Sequence, residues 1–525
     1  LAELRPLASA RLGPWQLALI AMAVAGVFSM LKGTDRNWDL ANYHIYAAQA
    51  WLQGRLFHDL LPAQMQTFFN PLLSLFPYGV VWLFQGYPRL GAFVLGAPAG
   101  LFAFLFLRIS WDYARLLFVG RARVVLATGI AGAVGLTGGA FVGGIGLTTG
   151  DVLMAVPVAL AFWLVQREVT AVGAGRKAGL APLAVAGALA GMAVGLKLTL
   201  VPFAVAIGVM ILLLLGLRAA LVAGCAMMAG FVLFWAPHAW VLWQETGNPM
   251  FPMYNAIFRS PDFPPVSPAD ERFLPRSTIQ AIFYPFWWLV PNASLVGELR
   301  MRDWRMAFGY VAWVALVPLL LWRGAAVNRR PFWLLLGVTA LSYAIWAKIS
   351  GIYRYMVLLE ALSALLLMAA LALGLRGRAR PALLVFAMCG AAMIGTTIVP
   401  NWGKGRHGEQ MLEVPPLPVL PGALVVTLDD EPHSYLVAFM PREVRVLGLN
   451  TNILRAGDEN GLTLRLRQAI AAHQGAGWSI AAPETREAER DRVLGIYGLV
   501  VTGECQILRT SLRRGGHVFC PIAKR

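Results

Sequence analysis

The sequence predicts a polytopic α-helical membrane protein that ends in a small soluble α/β domain. Three observations carry that prediction. Of 525 residues, 58% are hydrophobic and only 14% charged, where a soluble domain has about a quarter charged, and the mean hydropathy is +0.63. Apolar runs near the ~20 residues that cross a bilayer recur through residues 1–400. Past the proline-rich stretch Pro415–Pro421 the pattern changes to short β-like runs, Ala423–Leu428 and Tyr497–Thr502, around a helix-like Leu462–His473. That is the signature of an independent domain of residues 401–525.

Eleven spanning helices are expected, near 15–32, 90–108, 122–141, 151–166, 181–199, 201–217, 219–243, 304–322, 331–347, 355–374 and 381–398. The apolar stretch 70–87 holds Pro71 and Pro77 and runs into Pro88. It is assigned to a juxtamembrane element because of charge. Arg5 and Arg11 place the N-terminus in the cytoplasm by the positive-inside rule. If 70–87 does not span, the clusters Arg108/Arg115/Arg121/Arg123, Arg167/Arg176/Lys177, Arg218, Arg323/Arg329/Arg330 and Arg376/Arg378/Arg380 all fall inside with them. If it spans, every one of these is inverted. The net charge of +17 is thus a topology signal rather than a nucleic-acid footprint. Long outer loops follow at 33–88 and 244–303, with a short outer connection at 348–354 and the C-terminal domain on the same, periplasmic face.

Of four cysteines, Cys225 and Cys389 lie in apolar runs as packing residues. Cys505 and Cys520 flank Arg513-Arg514-Gly515-Gly516, a spacing that suits a disulfide in an extracytoplasmic domain. The turn acids Asp429, Asp430 and Glu431 read as solvated, with a site as the alternative. No zinc-ligand spacing occurs, and no internal repeat is evident.

The chemistry concentrates in the first outer loop, Thr34-Asp35-Arg36-Asn37-Trp38-Asp39-Leu40-Ala41-Asn42-Tyr43-His44-Ile45-Tyr46, which runs on to Asp59. Asp35, Asp39 and Asn42 recur at helical spacing and are expected on one face of a short interfacial helix. Trp38, Tyr43 and Trp51 suit an aromatic belt. The acids do not, because a charge at the bilayer centre costs about 2.5–3.5 kcal/mol and an acid near that boundary needs a partner or a task. Lys348 and Arg354 lie in an outer connection against the positive-inside bias, which calls for an anionic partner such as lipid phosphate. The second outer loop is rich in proline and aromatics and suits a cover or a sugar-stacking platform. His238 reads as interfacial, and Asn292-Ala293-Ser294 matches a glycosylation sequon.

The acid at the outer end of the first helix with a Tyr four residues later, Asp39 and Tyr43, resembles the GT-C superfamily of membrane glycosyltransferases. The nearest likeness is to the protein mannosyltransferase and aminoarabinose transferase branches. The order of a long first loop, juxtamembrane helices, many spans and an outer C-terminal domain is similar over the whole membrane region. Asp151 after Gly143–Gly150 and Lys197 in Gly195-Leu196-Lys197-Leu198-Thr199 are further partial matches. The usual second acid after the first is missing, since Leu40 follows Asp39, while Asp35 lies upstream.

The resemblance implies an inverting transfer of sugar from a polyprenyl-phosphate donor to a glycan, lipid or protein acceptor at the outer face of the cytoplasmic membrane. Asp39 is the expected base, with Asp35 as second candidate. Lys348, Arg354, Tyr353 and Lys197 are expected at the donor phosphate, with Arg302 and Arg305 behind them. Asn42, Tyr43, His44, Asp59 and Asp151 are expected at the substrates. No metal or other cofactor is required, although the acids could hold Mg²⁺ or Mn²⁺. The alternatives are a flippase or other transporter of lipid-linked sugars, or a polysaccharide ligase or polymerase. A transporter places its polar and broken helices near the midplane, whereas these acids cluster in loops.

Overall fold

The structure, a computed structural model, describes residues 13–291, 295–322 and 328–525. Arg5, Arg11, Arg323 and the sequon at 292–294 lie outside the described residues. Helices occupy all eleven expected positions. Nine among the described residues are long and apolar enough to cross a membrane: Pro14–Lys32, Pro88–Leu117, Asp151–Gly173, Leu198–Leu215, Leu217–Thr246, Arg305–Trp322, Arg330–Ile349, Tyr353–Gly374 and Ala379–Thr396. The other two are shorter than expected. Arg121–Gly135 has 15 residues and Leu180–Leu196 has 17, about 22 and 26 Å at 1.5 Å per residue, short of a ~30 Å hydrocarbon core.

Small residues let these helices touch. Gly187, Gly191 and Gly195 repeat every four positions along Leu180–Leu196, and a Cβ at Gly191 would fall 1.8 Å from the Met227 carbonyl oxygen of Leu217–Thr246. With lipid as solvent, such backbone approach supplies much of the attraction between helices. Residues 71–83 form a short apolar helical segment whose Trp82 lies against Phe439 of the C-terminal domain (ring centroids 5.6 Å). It therefore lies against that domain.

The C-terminal domain is a six-stranded mixed sheet. Its order is Arg445–Gly448, Leu424–Thr427, Gly477–Ala481, His517–Lys524 and Leu499–Val501, with Gln506–Leu508 also paired to His517–Lys524. The first three strands are parallel and the rest antiparallel. Helices Gly461–Ala472 and Glu487–Ile496 complete it. Cys505 and Cys520 form a disulfide. Both expected strands and the expected helix are present, within two residues.

The first loop is built into this domain. Thr34–Asp35 pairs antiparallel with Lys404–Gly405. Leu60 then joins the exposed edge of Arg445–Gly448, donating to the Val446 carbonyl (3.0 Å) and accepting from Gly448 N (2.8 Å). Covering an edge in this way removes its unpaired backbone groups from competition. Beside it Arg55 donates to both Asp59 oxygens (2.8 and 2.9 Å) and to the Val444 carbonyl (2.7 Å), while Asp59 accepts from Val446 N (2.9 Å). Both side chains are buried. Removing the cation leaves a buried, uncompensated carboxylate, so Arg55→Ala is expected to destabilise the docked domain by about 3–5 kcal/mol. A thermal melt in detergent reads this, and an unchanged midpoint refutes it.

A buried polar chain crosses the domain. Asp429 accepts from Ala482 N (2.7 Å) and Thr485 Oγ1 (2.6 Å) and meets His433 Nε2 (2.6 Å). His433 Nδ1 lies 2.8 Å from His517 Nδ1, and His517 Nε2 lies 2.7 Å from the Tyr435 hydroxyl, which bonds Thr510. Burial, then the neighbouring His433 and Arg513, pushes the His517 imidazole far below its ordinary 6.5. The unfolded chain thus takes up this proton first. Stability is full above pH 6.5 and falls as the pH drops below it. At pH 5 the loss from this one group is about 2 kcal/mol. The melting midpoint should fall between pH 7.5 and 5, and a pH-independent midpoint contradicts a buried, neutral His517.

Candidate active site

Four stretches of chain meet at the end of the bundle that carries the soluble domain. The first is the helix after Thr34–Asp35, which opens with a π-turn at Leu40–His44 and continues as Ile45–Leu52. Asp39 sits at its start. The second is the N-terminus of Asp151–Gly173, set up by Gly150 in the left-handed region (φ 79°). Asp151 occupies the first turn, where the helix dipole favours an acid. The third is the break at Lys197, which is extended (φ −148°, ψ 104°) between Leu180–Leu196 and the turn Leu198–Leu200. Asn70 Nδ2 satisfies the Gly195 and Phe234 carbonyls there (2.8 and 2.7 Å). The fourth is the turn after Arg330–Ile349, where a Cβ at Gly351 would meet the Phe273 carbonyl oxygen at 2.2 Å. That glycine lets the chain fold back tightly into Tyr353–Met356.

Arg354 is the hub. Its Nη1 donates to Asp39 Oδ2 at 2.8 Å, and its Nε faces Glu298 Oε1 at 3.5 Å and Asp151 Oδ2 at 3.9 Å. Lys197 bonds Asp151 Oδ1 and the Thr149 carbonyl (2.7 Å for the latter). Lys197 and Arg354 lie 5.2 and 5.5 Å from the Tyr355 ring centroid, within cation–π range. Trp402 Nε1 holds Glu298 from the other side (3.3 Å). Two cations and three carboxylates therefore share a largely buried space. Neither Arg354 Nε nor Asp151 Oδ2 has a hydrogen-bond partner. A buried unsatisfied donor costs about 1–3 kcal/mol, which a ligand oxygen at this point would recover.

The charges set the protonation of the loop. Burial alone would raise the Asp39 carboxyl, but Arg354 and then Lys197 outweigh it and hold the group below the usual carboxylate range. Burial drives the His44 imidazole down to about 3, so it is neutral, with Nδ1 2.9 Å from Ser74 Oγ. Burial and the Asp39 charge push the Tyr43 phenol well up; its ring lies against His44 and Phe69.

The structure thus brings Asp39, Asp151, Lys197 and Arg354 together, with Tyr43 and His44 beside them. It places the other expected residues elsewhere. Asp35 is not on the Asp39 helix face. Its backbone pairs with Lys404, and its carboxylate accepts from Asn37 N (3.0 Å), Asn37 Nδ2 and Thr148 N (2.7 Å). Burial raises the Asp35 carboxyl, with Lys404 opposing. Asp59 belongs to the Arg55 clamp, and Asn42 bonds Gln64 and Gln66 at the domain junction (3.2 Å each). Tyr353 points away from Arg354, into a buried cluster with Asp303 and Glu360. Lys348 is exposed in the last turn of its helix and makes no hydrogen bond or ion pair among the described residues. Arg305 is fully buried against Asp303, and Arg302 bonds the Thr396 carbonyl. Glu298, Tyr355 and Trp402 were not expected. Glu298 carries the local signal of an acid in a long loop; Tyr355 has only its place next to Arg354. Among the described residues no three His, Cys, Asp or Glu side chains are grouped as metal ligands.

No protein-family model and no curated protein matches the chain. Among solved structures it is similar to ArnT from Cupriavidus metallidurans. The apo form shares 14% identity over 96% of this chain and 97% of that one, with a TM-score of 0.49. The form bound to undecaprenyl phosphate shares 13% over 97% of each chain, with a TM-score of 0.47.

Proposed function

We propose that this protein is an inverting glycosyltransferase using a polyprenyl-phosphate sugar at the outer face of the cytoplasmic membrane. The observation that carries the reading is Arg354: one edge of its guanidinium is held by Asp39, and the other edge is unsatisfied and flanked by Lys197 on Asp151. A donor phosphate at that open edge takes charge-assisted hydrogen bonds from Arg354 and attraction from Lys197. The acceptor hydroxyl oxygen then attacks the anomeric carbon. Its proton passes to Asp39, the bond from anomeric carbon to phosphate oxygen breaks, and polyprenyl phosphate leaves with the electron pair. Arg354 and Lys197 stabilise the growing charge on the leaving group. Tyr43 and His44, packed beside Asp39, line the approach for the sugar; the acceptor is a glycan, lipid or protein.

Each carboxylate of this group already faces Arg354 or Lys197, so turnover is expected to persist in EDTA. The deciding assay incubates the purified protein in nanodiscs with a radiolabelled polyprenyl-phosphate sugar and a cell-envelope acceptor fraction. Label should move to the acceptor with release of polyprenyl phosphate. In proteoliposomes, movement of intact labelled lipid between leaflets without cleavage would establish a transporter instead.

A further inference from the structure

Behind Arg354 lies a second ionisable cluster that the transfer step does not use. Asp303, Arg305, Tyr353 and Glu360 are each 0% exposed. All three side-chain nitrogens of Arg305 are engaged: Nε donates to the Val134 carbonyl (2.6 Å), Nη1 to Asp303 Oδ1 (2.9 Å) and Thr397 Oγ1 (2.6 Å), and Nη2 to Thr137 Oγ1 (2.6 Å). The two acids receive the start of the short helix Gly139–Gly144. Gly139 N donates to Asp303 Oδ2 (3.1 Å), Ala140 N to Glu360 Oε2 (2.9 Å) and Phe141 N to Glu360 Oε1 (3.2 Å). The approach needs a glycine at 138, where a Cβ would lie 1.9 Å from Glu360 Oε1.

Tyr353 joins the two acids. Its hydroxyl lies 2.9 Å from Asp303 Oδ2 and also meets Glu360 Oε2, while Ala140 N points at it from 3.1 Å. A phenol carries one proton. If that proton goes to Asp303, no hydrogen lies between the Tyr353 oxygen and an ionised Glu360, and two bare oxygens at contact repel. A proton on Glu360 closes the chain: Glu360 donates to Tyr353, Tyr353 to Asp303, and Asp303 faces Arg305. Charge leads to the same count. With both acids ionised, the cluster holds a net −1 in a fully buried place; with one protonated it is neutral, which burial strongly favours. Asp303 is the ionised member, because it alone of the two takes the guanidinium of Arg305.

We propose that Glu360 is a neutral carboxylic acid, and that the chain Glu360–Tyr353–Asp303–Arg305 positions both Arg354 and Asp151 for the donor. Tyr353 precedes Arg354 directly, and the segment opened by Gly139–Gly144 ends at Gly150, one residue before Asp151. One buried network thus fixes the backbone on two sides of the site. The protonation claim stands on geometry alone; its link to the donor rests on the glycosyltransferase reading.

Infrared spectroscopy of the full-length protein in nanodiscs tests the proton. A protonated-carboxyl band should be present at pH 6 and vanish in Glu360→Gln. A wild-type protein without such a band, or a band untouched by Glu360→Gln, overturns the proposal. If Glu360→Gln fails to insert, Tyr353→Phe reads the same proton, since loss of its acceptor must shift the band. Kinetics test the positioning. Glu360→Gln, which can still donate to Tyr353 and accept from Phe141 N without a charge, should hold the donor KM within about threefold. Glu360→Ala and Tyr353→Phe should raise it about tenfold or more, with a smaller change in kcat. Equal donor KM values in Gln and Ala variants overturn the positioning role. If the wild type turns over no donor, the glycosyltransferase reading fails and the infrared result stands. If it turns over donor but lacks the band, this inference fails alone.

Discussion

Asp39→Asn should lower turnover of a polyprenyl-phosphate sugar by about 10²–10⁴-fold, the usual contribution of a positioned base. Asparagine keeps the shape and can still accept from Arg354 through its amide oxygen, so the fold and the donor site survive. What disappears is the lone pair that takes the acceptor proton and one negative charge beside the donor phosphate. The loss should therefore appear in kcat, with the donor KM equal or lower. The pH profile gives a second check. Arg354 and Lys197 hold the Asp39 carboxyl below its ordinary range, so the acid limb of kcat/KM for the wild type should lie below that of an ordinary carboxylate. Asp35→Asn provides the contrast. Asp35 ties Asn37 to Thr148, so its loss should lower the melting midpoint rather than the turnover of each folded molecule. Full turnover in Asp39→Asn removes it as the base; the same kcat loss in Asp35→Asn with unchanged stability transfers the role.

Arg354→Gln should cost about 10²–10³-fold in kcat/KM for the donor, the scale of removing a preorganised donor to developing charge. Arg354→Lys should recover little. A single ammonium cannot reach Asp39 with one nitrogen while presenting another between Glu298 and Asp151. The expected loss also includes Asp39 itself, which becomes a buried acid without its cation and rises toward its ordinary range. The acid limb should then move upward in Arg354→Gln, a shift that simple loss of donor affinity does not produce. Lys348→Gln distinguishes the two cations of the same connection, because Lys348 points outward and should change donor kcat/KM less than about twofold. An equal loss in the two variants would return Lys348 to the phosphate; no loss in Arg354→Gln would remove Arg354 from it.

The positions of the helices were legible because apolar runs of spanning length are a local property. Their ends were less so. Arg121–Gly135 stops early because Gly138 must admit Glu360, and Leu180–Leu196 stops where Lys197 turns to Asp151; both causes are tertiary. Asp151 and Lys197 were expected only through the family resemblance, whereas Asp39 and Arg354 stood out as charges in places that need a reason. Their pairing did not, since Asp39 and Arg354 are 315 residues apart. Asp35 and Asp39 look alike in sequence, and what separates them is a strand pairing with Lys404. Tyr353 and Arg354 are neighbours that face opposite ways, and Lys348 carries the same charge signal as Arg354 without the turn that brings it inward. Side-chain direction at a helix end depends on what packs there, which a linear pattern does not contain.

The pairing of Thr34–Asp35 with Lys404–Gly405 also imposes an order on the protein's maturation. The segment bearing Asp39 leaves the ribosome early, whereas the strand that clasps it follows the last membrane helix by only a few residues. At about 5–20 residues per second, roughly 20–70 s of synthesis separate the two. For most of that interval Arg354, 315 residues after Asp39, has not yet been made, and the nascent chain is inert. Competence waits on Lys404–Gly405, so a chain truncated before Lys404 inserts as a full set of helices yet never acquires an assembled site.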